Sequence, residues 1–87
     1  MAWQIDYSTA ARKQLRKLDT AISARIIHFL ETRVAPSPRS VGKPLHGHLS
    51  SYWSYRMGNY RIICELDDGI LRVLVVTVGH RRDVYKP

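Results

Sequence analysis

The chain has a single cysteine, few acidic residues and no long apolar run, and each shortage excludes a class of protein. Cys64 stands alone among 87 residues, so no internal disulfide can form, and the usage suits a reducing cytoplasm. It lies within a strand pattern and reads as core filler, not as a nucleophile. No stretch approaches the roughly 20 apolar residues of a membrane span. The opening Met1-Ala2-Trp3-Gln4-Ile5-Asp6 has neither the basic nor the apolar region of a secretion signal. No membrane association is therefore expected. His46 and His48 form an H-x-H half-site, but no cysteine and no obvious third ligand stand nearby. Neither a metal nor a cofactor is expected.

What the chain does have is positive charge. Lys and Arg number 14 against seven Asp and Glu, a formal net charge of +7. Basic residues outnumber acidic ones both in residues 1–43 and in residues 44–87, so the excess belongs to the fold and not to a basic arm. A folded domain of this kind expects a polyanion, whether nucleic acid, an anionic membrane surface or an acidic protein.

With 45% apolar residues and two tryptophans, the chain can build one small core, and residues 1–87 read as a single domain without repeats or linkers. Trp3, Ile5 and Tyr7 alternate with Gln4 and Asp6 as a short strand. Ser8 can cap a helix carrying Ala11, Leu15 and Leu18 on one side and Arg12, Lys13, Arg16 and Lys17 on the rest. Asp19-Thr20 can start a second helix, with Ile22, Ile26, Phe29 and Leu30 inward and Arg25, His28 and Arg33 outward. Pro36 and Pro38 end it, and residues 36–50 read as a loop. The remainder reads as a three-stranded meander turning at Gly58-Asn59 and at Asp68-Gly69. The expected class is α+β, with the N-terminal strand and a helical hairpin packed on one face of an antiparallel sheet and a short basic C-terminal tail.

The first turn fixes a register. If Met57 opposes Tyr60, then Arg56 opposes Arg61, Tyr55 opposes Ile62 and Trp53 opposes Cys64. The apolar members share the face that the helices cover, and the two arginines face each other on the opposite side. Like charges so opposed destabilise a sheet by roughly 0.2–1 kcal/mol. With Asp68-Gly69 as a two-residue turn, Glu65 opposes Arg72 favourably, and Ile63, Leu74 and Val76 join the arginine face. A partly apolar, strongly basic face suits a nucleotide strand. The run Ile70–Val78 then delivers Gly79-His80-Arg81-Arg82-Asp83-Val84-Tyr85-Lys86 from a buried strand. An imidazole, two guanidiniums and a phenol are groups that grip a phosphodiester and move protons around it.

Strand, helical hairpin, loop, the segment Tyr52-Trp53-Ser54-Tyr55-Arg56-Met57-Gly58-Asn59-Tyr60-Arg61-Ile62 and the ending Val78-Gly79-His80-Arg81-Arg82-Asp83-Val84-Tyr85 together resemble the RelE/ParE superfamily of type II toxin–antitoxin toxins. The resemblance covers nearly the whole chain. Its RelE branch implies a ribosome-dependent, metal-independent endoribonuclease in which the mRNA's own 2′-hydroxyl attacks the neighbouring phosphate. It further implies that Arg61 and Arg81 hold the scissile phosphate and that Tyr85 stacks on or orients a base. Arg56, Arg82, Lys43 and Lys86 are candidates for holding the RNA backbone. Lysines often found in RelE-type toxins are replaced here by Tyr52 and Ser54, which leaves His80 as the expected proton carrier. The implied partners are a cognate acidic antitoxin, in a hetero-oligomeric complex, and mRNA on the ribosome, with ribosomal RNA among the contacts. Two alternatives stand beside this reading: a ParE-like inhibitor of DNA gyrase, and a nucleic-acid-binding module without catalysis.

Overall fold

A computed structural model describes residues 2–45 and 52–80. In chain order the elements are β1 (Gln4–Tyr7), α1 (Thr9–Lys17), α2 (Thr20–Phe29) running into a π-helical turn (Leu30–Val34), α3 (Pro38–Val41), β2 (Lys43–Pro44), β3 (Tyr52–Met57), β4 (Tyr60–Asp67) and β5 (Arg72–His80). One five-stranded sheet forms in the order β1-β5-β4-β3-β2. Strands β2 to β5 are antiparallel, as the meander implies, whereas β1 lies parallel to β5, so the sheet is mixed.

The helical hairpin forms where the caps place it. The Ser8 hydroxyl accepts from the Ala11 amide at 3.0 Å, and the Asp19 carboxylate accepts from the Ala21 amide at 3.0 Å. The Ser23 hydroxyl donates to the Leu15 carbonyl and ties the two helices together. Ala11, Leu15, Ile26, Leu30 and Val34 pack on Tyr55, Ile62, Cys64, Val73, Val75 and Val78 of the sheet. Burial raises the Cys64 thiol well above its ordinary range, which keeps it protonated and inert.

Helix α1 also completes the sheet. Beyond Val75, β5 has no strand partner on the β1 side. The Ser8 amide donates to the Val75 carbonyl at 2.9 Å, the Ser8 hydroxyl to the Val76 carbonyl at 2.9 Å, and the Val78 amide to Gln14 Oε1 at 2.6 Å. Backbone groups that would otherwise be orphaned are thus satisfied by the start of a helix.

Three expectations are corrected. Residues 36–50 are not all loop: Pro38 occupies the first turn of α3, where its missing N–H costs nothing, and Lys43–Pro44 pairs with Trp53 and Ser54. This segment is pinned at its start by two adjacent residues. The buried Tyr55 hydroxyl donates to the Pro38 carbonyl at 2.7 Å, and Arg39 binds Asp68 through both carboxylate oxygens, at 2.7 and 2.8 Å. Its guanidinium lies 5.7 Å from the Trp3 ring and 5.8 Å from the Trp53 ring. His46 and His48 lie outside the described residues.

The second hairpin does not turn in two residues at Asp68-Gly69. Asp67 opposes Arg72, leaving a four-residue connection, and Glu65 opposes Leu74 instead of Arg72. The Asp67 carboxylate accepts from the Gly69 amide at 3.0 Å while Asp68 is drawn to Arg39. The left-handed residue is Leu71, at φ 50°. Hydrogen bonding by the two aspartates sets the turn, in place of glycine's conformational freedom. The Gly58-Asn59 turn behaves as expected, with Gly58 at φ 60° in the first central position.

Finally, β5 carries a bulge. Ile63 pairs with Thr77 and Cys64 with Val75, so Val76 has no partner on β4 and is not a regular member of the arginine face. The bulge reverses the parity of everything after it.

Gly42 lets the chain pass from α3 into β2 across Tyr55. A Cβ there would fall 2.6 Å from the Tyr55 ring and 2.7 Å from the Ser54 carbonyl oxygen. Gly42→Ala should therefore lower the unfolding free energy by about 1–3 kcal/mol, the range for overpacking, as measured by urea denaturation. Cys64 should resist a thiol reagent in the native protein and react fully in denaturant.

Candidate functional site

The open face of the sheet, away from the helices, is divided by charge. Asp6 on β1, Arg72 on β5 and Glu65 and Asp67 at the second-hairpin end of β4 form one group, in which acids and base offset one another; Arg72 Nε lies 3.9 Å from the Asp6 carboxylate. The part of the face nearer β2 and the first hairpin is cationic. Arg56 opposes Arg61 as the turn predicted, and Lys43 opposes Ser54, so both pairs project from the same face.

Lys43, Arg56 and Arg61 line one cavity of about 480 Å³, together with Ser54 and the Val41–Leu45 segment. Among the described residues no acidic side chain lines it. None of the three cations takes part in an ion pair among the described residues. Arg56 Nε reaches only the Gly58 carbonyl, at 3.4 Å. Arg61, on the central strand β4, has a buried Nε with no hydrogen-bond acceptor among the described residues. A charged donor left unsatisfied in this way costs at least about 1–3 kcal/mol, and an anion in the cavity removes the penalty.

A larger cavity of about 610 Å³ lies on the helix side, between α2 and Met57, and it too has basic walls in Arg25, His28 and Arg33. Its cations are spread along a helix. The smaller cavity is the better candidate site because its cations converge and one holds an unsatisfied buried donor.

The C-terminal candidates are treated less evenly by the fold. His80 opposes Tyr60 on the helix side, with the rings edge-on at 6.0 Å and 75°. Its imidazole is not in the arginine cavity, because the bulge at Val76 turned it to the other face. The same shift sets Gly79 opposite Arg61, so no side chain crowds the guanidinium from β5. Arg81, Arg82, Tyr85 and Lys86 lie outside the described residues. The contribution of Ser54, buried on the open face between Lys43 and Ile63, was missed in the sequence. Only the pairing of β2 reveals it, and two residues containing a proline give no strand signal.

Residues 5–85 match the family described as ParE toxin of type II toxin–antitoxin system, parDE. The chain is similar to Toxin RelG of Mycobacterium tuberculosis, with 35% identity over 86 residues that cover 99% of each protein. Its fold matches a chain of the toxin–antitoxin complex RelBE2 from the same organism at a TM-score of 0.88 and 33% identity, covering 93% of this chain and all of that one. The isolated RelE toxin of E. coli superposes at a TM-score of 0.76 with 25% identity, over 91% of this chain and 84% of that chain.

The arginine pair carries a stability penalty that the site's geometry predicts in sign. Arg61→Met keeps the aliphatic stem, abolishes the opposed charge and deletes the unsatisfied Nε. The variant should unfold at a higher urea concentration than the wild type, by about 0.5–1 kcal/mol.

Proposed function

This chain belongs to the ParE-toxin family of type II toxin–antitoxin systems, and from that premise we propose that it is a ribosome-dependent endoribonuclease that cuts mRNA and arrests translation. The observation that carries the reading is the cavity of Lys43, Arg56 and Arg61, which among the described residues has no acidic wall and holds a buried guanidinium N–H without an acceptor. A phosphodiester is the anion that fits such a surface, since its non-bridging oxygens accept from guanidinium forks.

In the proposed reaction the 2′-oxygen of one nucleotide bonds to the adjacent phosphorus while the bond from phosphorus to the 5′-oxygen breaks. The products are a 2′,3′-cyclic phosphate and a 5′-hydroxyl. In-line transfer of this kind gains mostly from positioning and from neutralising charge on the equatorial oxygens. Arg61 is fixed on a central strand and supplies one side of that clamp. Arg81 supplies the other, following His80 directly in sequence. Tyr85 stacks on or orients a base, Arg56, Arg82 and Lys86 hold the RNA backbone, and Lys43 stands beside them in the same cavity. The clamp neutralises charge without a metal, so we expect chelator to leave cleavage intact once the ribosomes are kept assembled by polyamine.

The partner in the cell is an acidic antitoxin. The +7 charge calls for one, and the RelBE2 chain of the same fold comes from a toxin–antitoxin complex. Among the described residues no helix is long and apolar enough to cross a membrane, and ribosome-bound mRNA places the activity in the cytoplasm.

The family description itself favours a second reading, a ParE-like inhibitor of DNA gyrase. One comparison separates the two. Purified protein is incubated with mRNA, with and without programmed ribosomes, and with gyrase and supercoiled DNA. Cleavage only on ribosomes is the expected result; gyrase-dependent DNA breaks replace the nuclease reading, and neither outcome leaves a binding module. In single-turnover assays Arg61→Ala and Arg81→Ala should each lose about 10²–10³ in rate, the scale of a removed oxyanion donor, with the fold intact by circular dichroism. Near-wild-type rates for both would sink the clamp.

A further inference from the structure

We propose that Lys43 is the general acid that protonates the departing 5′-oxygen, with Tyr55 and Gly42 as the residues that position it. The inference rests on the nuclease reading above and adds to it the group that moves the proton.

A phosphodiester held among arginines still needs a proton donor, because a 5′-alkoxide is a poor leaving group and a guanidinium does not give up its proton in a protein. His80 was the expected donor, but it opposes Tyr60 on the helix side of the sheet. Cys64 is buried on that side as well. The described residues around the arginine cavity are Val41, Gly42, Lys43, Pro44, Leu45, Ser54, Arg56 and Arg61. Only the Lys43 ammonium and the Ser54 hydroxyl have a proton to lend there, and an ammonium is far the stronger acid of the two.

The backbone that carries Lys43 is held in place. Lys43 opposes Ser54 across the β2–β3 pair, one step along β3 from Tyr55 and two from Arg56. The segment preceding it is fixed by the Tyr55 hydroxyl on the Pro38 carbonyl and by Arg39 on Asp68. Gly42 packs so closely that no side chain fits between it and Tyr55. A six-residue stretch pinned at three points thus delivers an ammonium beside the arginine pair, and fixing the donor beforehand is what general acid catalysis requires.

As the 2′-oxygen bonds to phosphorus, its proton passes to solvent water. The electron pair of the breaking P–O bond stays on the 5′-oxygen, which takes a proton from Lys43 Nζ. Water then reprotonates the amine, so no proton is gained or lost overall.

The test uses ribosomes programmed with mRNA whose scissile linkage carries either the natural 5′-oxygen or a bridging 5′-sulfur, since a thiolate leaves without a proton. Single-turnover cleavage is measured for the wild type, Lys43→Ala, Lys43→Arg and Arg61→Ala, with thermal unfolding to confirm the fold. Both Lys43 variants should lose about 10²-fold on the oxygen substrate and recover to near wild type on the sulfur substrate. Arg61→Ala should stay slow on both. Equal slowing of the Lys43 variants on both substrates, or full activity of Lys43→Arg on the oxygen substrate, overturns the proposal while leaving the nuclease reading standing. A wild-type protein that cuts neither mRNA on the ribosome overturns the nuclease reading, and the role of Lys43 with it. Tyr55→Phe, which keeps the ring and drops the bond to Pro38, should show a weaker form of the same sulfur rescue.

Discussion

Everything in this molecule depends on how β5 is satisfied along its two edges. One edge is paired with β4 except at Val76. The other is handed from β1 to the first turns of α1 at Val75, where Ser8 and Gln14 take over as hydrogen-bond partners. The bulge at Val76 falls at that handover. A buried strand whose amides lacked partners would cost several kcal/mol, so the helix is docked by backbone chemistry as well as by its apolar stripe. Ser8 serves twice, capping α1 and bonding β5, which fixes the helix in register with the sheet.

The bulge connects this architecture to the chemistry. A sheet alternates strictly, so one extra residue in β5 exchanges which side chains face the helices and which face the open side. It turns His80 toward Tyr60 and leaves a glycine opposite Arg61. Room for a ligand beside the guanidinium is therefore created about three residues away, by an irregularity that also serves packing. Glu65 and Asp67 share β4 with Arg61 but lie four and six residues further along it, toward the second hairpin, and Asp6 lies on the far strand β1. None of the three lines the cavity.

The sequence was most legible where a local rule leaves no choice. Ser8 and Asp19 mark the helix starts, and the two-residue Gly58-Asn59 turn dictates every pairing from Met57–Tyr60 back to Trp53–Cys64. It was illegible where distant partners decide. The Asp68-Gly69 pair looks like a tight turn until Arg39 claims Asp68 from 29 residues away. The bulge was hidden because Val73, Leu74, Val75, Val76 and Val78 are apolar in both parities, and such a run carries no alternation to be broken. For the site, opposed Arg56 and Arg61 followed from one turn. The placement of Lys43 beside Ser54 did not, since it needs a strand of two residues, one of them proline.

That same short strand has a consequence for how the protein behaves in solution. Open sheet edges recruit further strands, and proteins blunt them with brevity, lysine and proline. Here β2 supplies all three on one side, since it consists of Lys43 and Pro44 alone, while β1 is only four residues long on the other. Among the described residues neither edge strand is a long flat ladder on which a second copy could template. The domain can thus display a wide cationic face without growing edge to edge into aggregates.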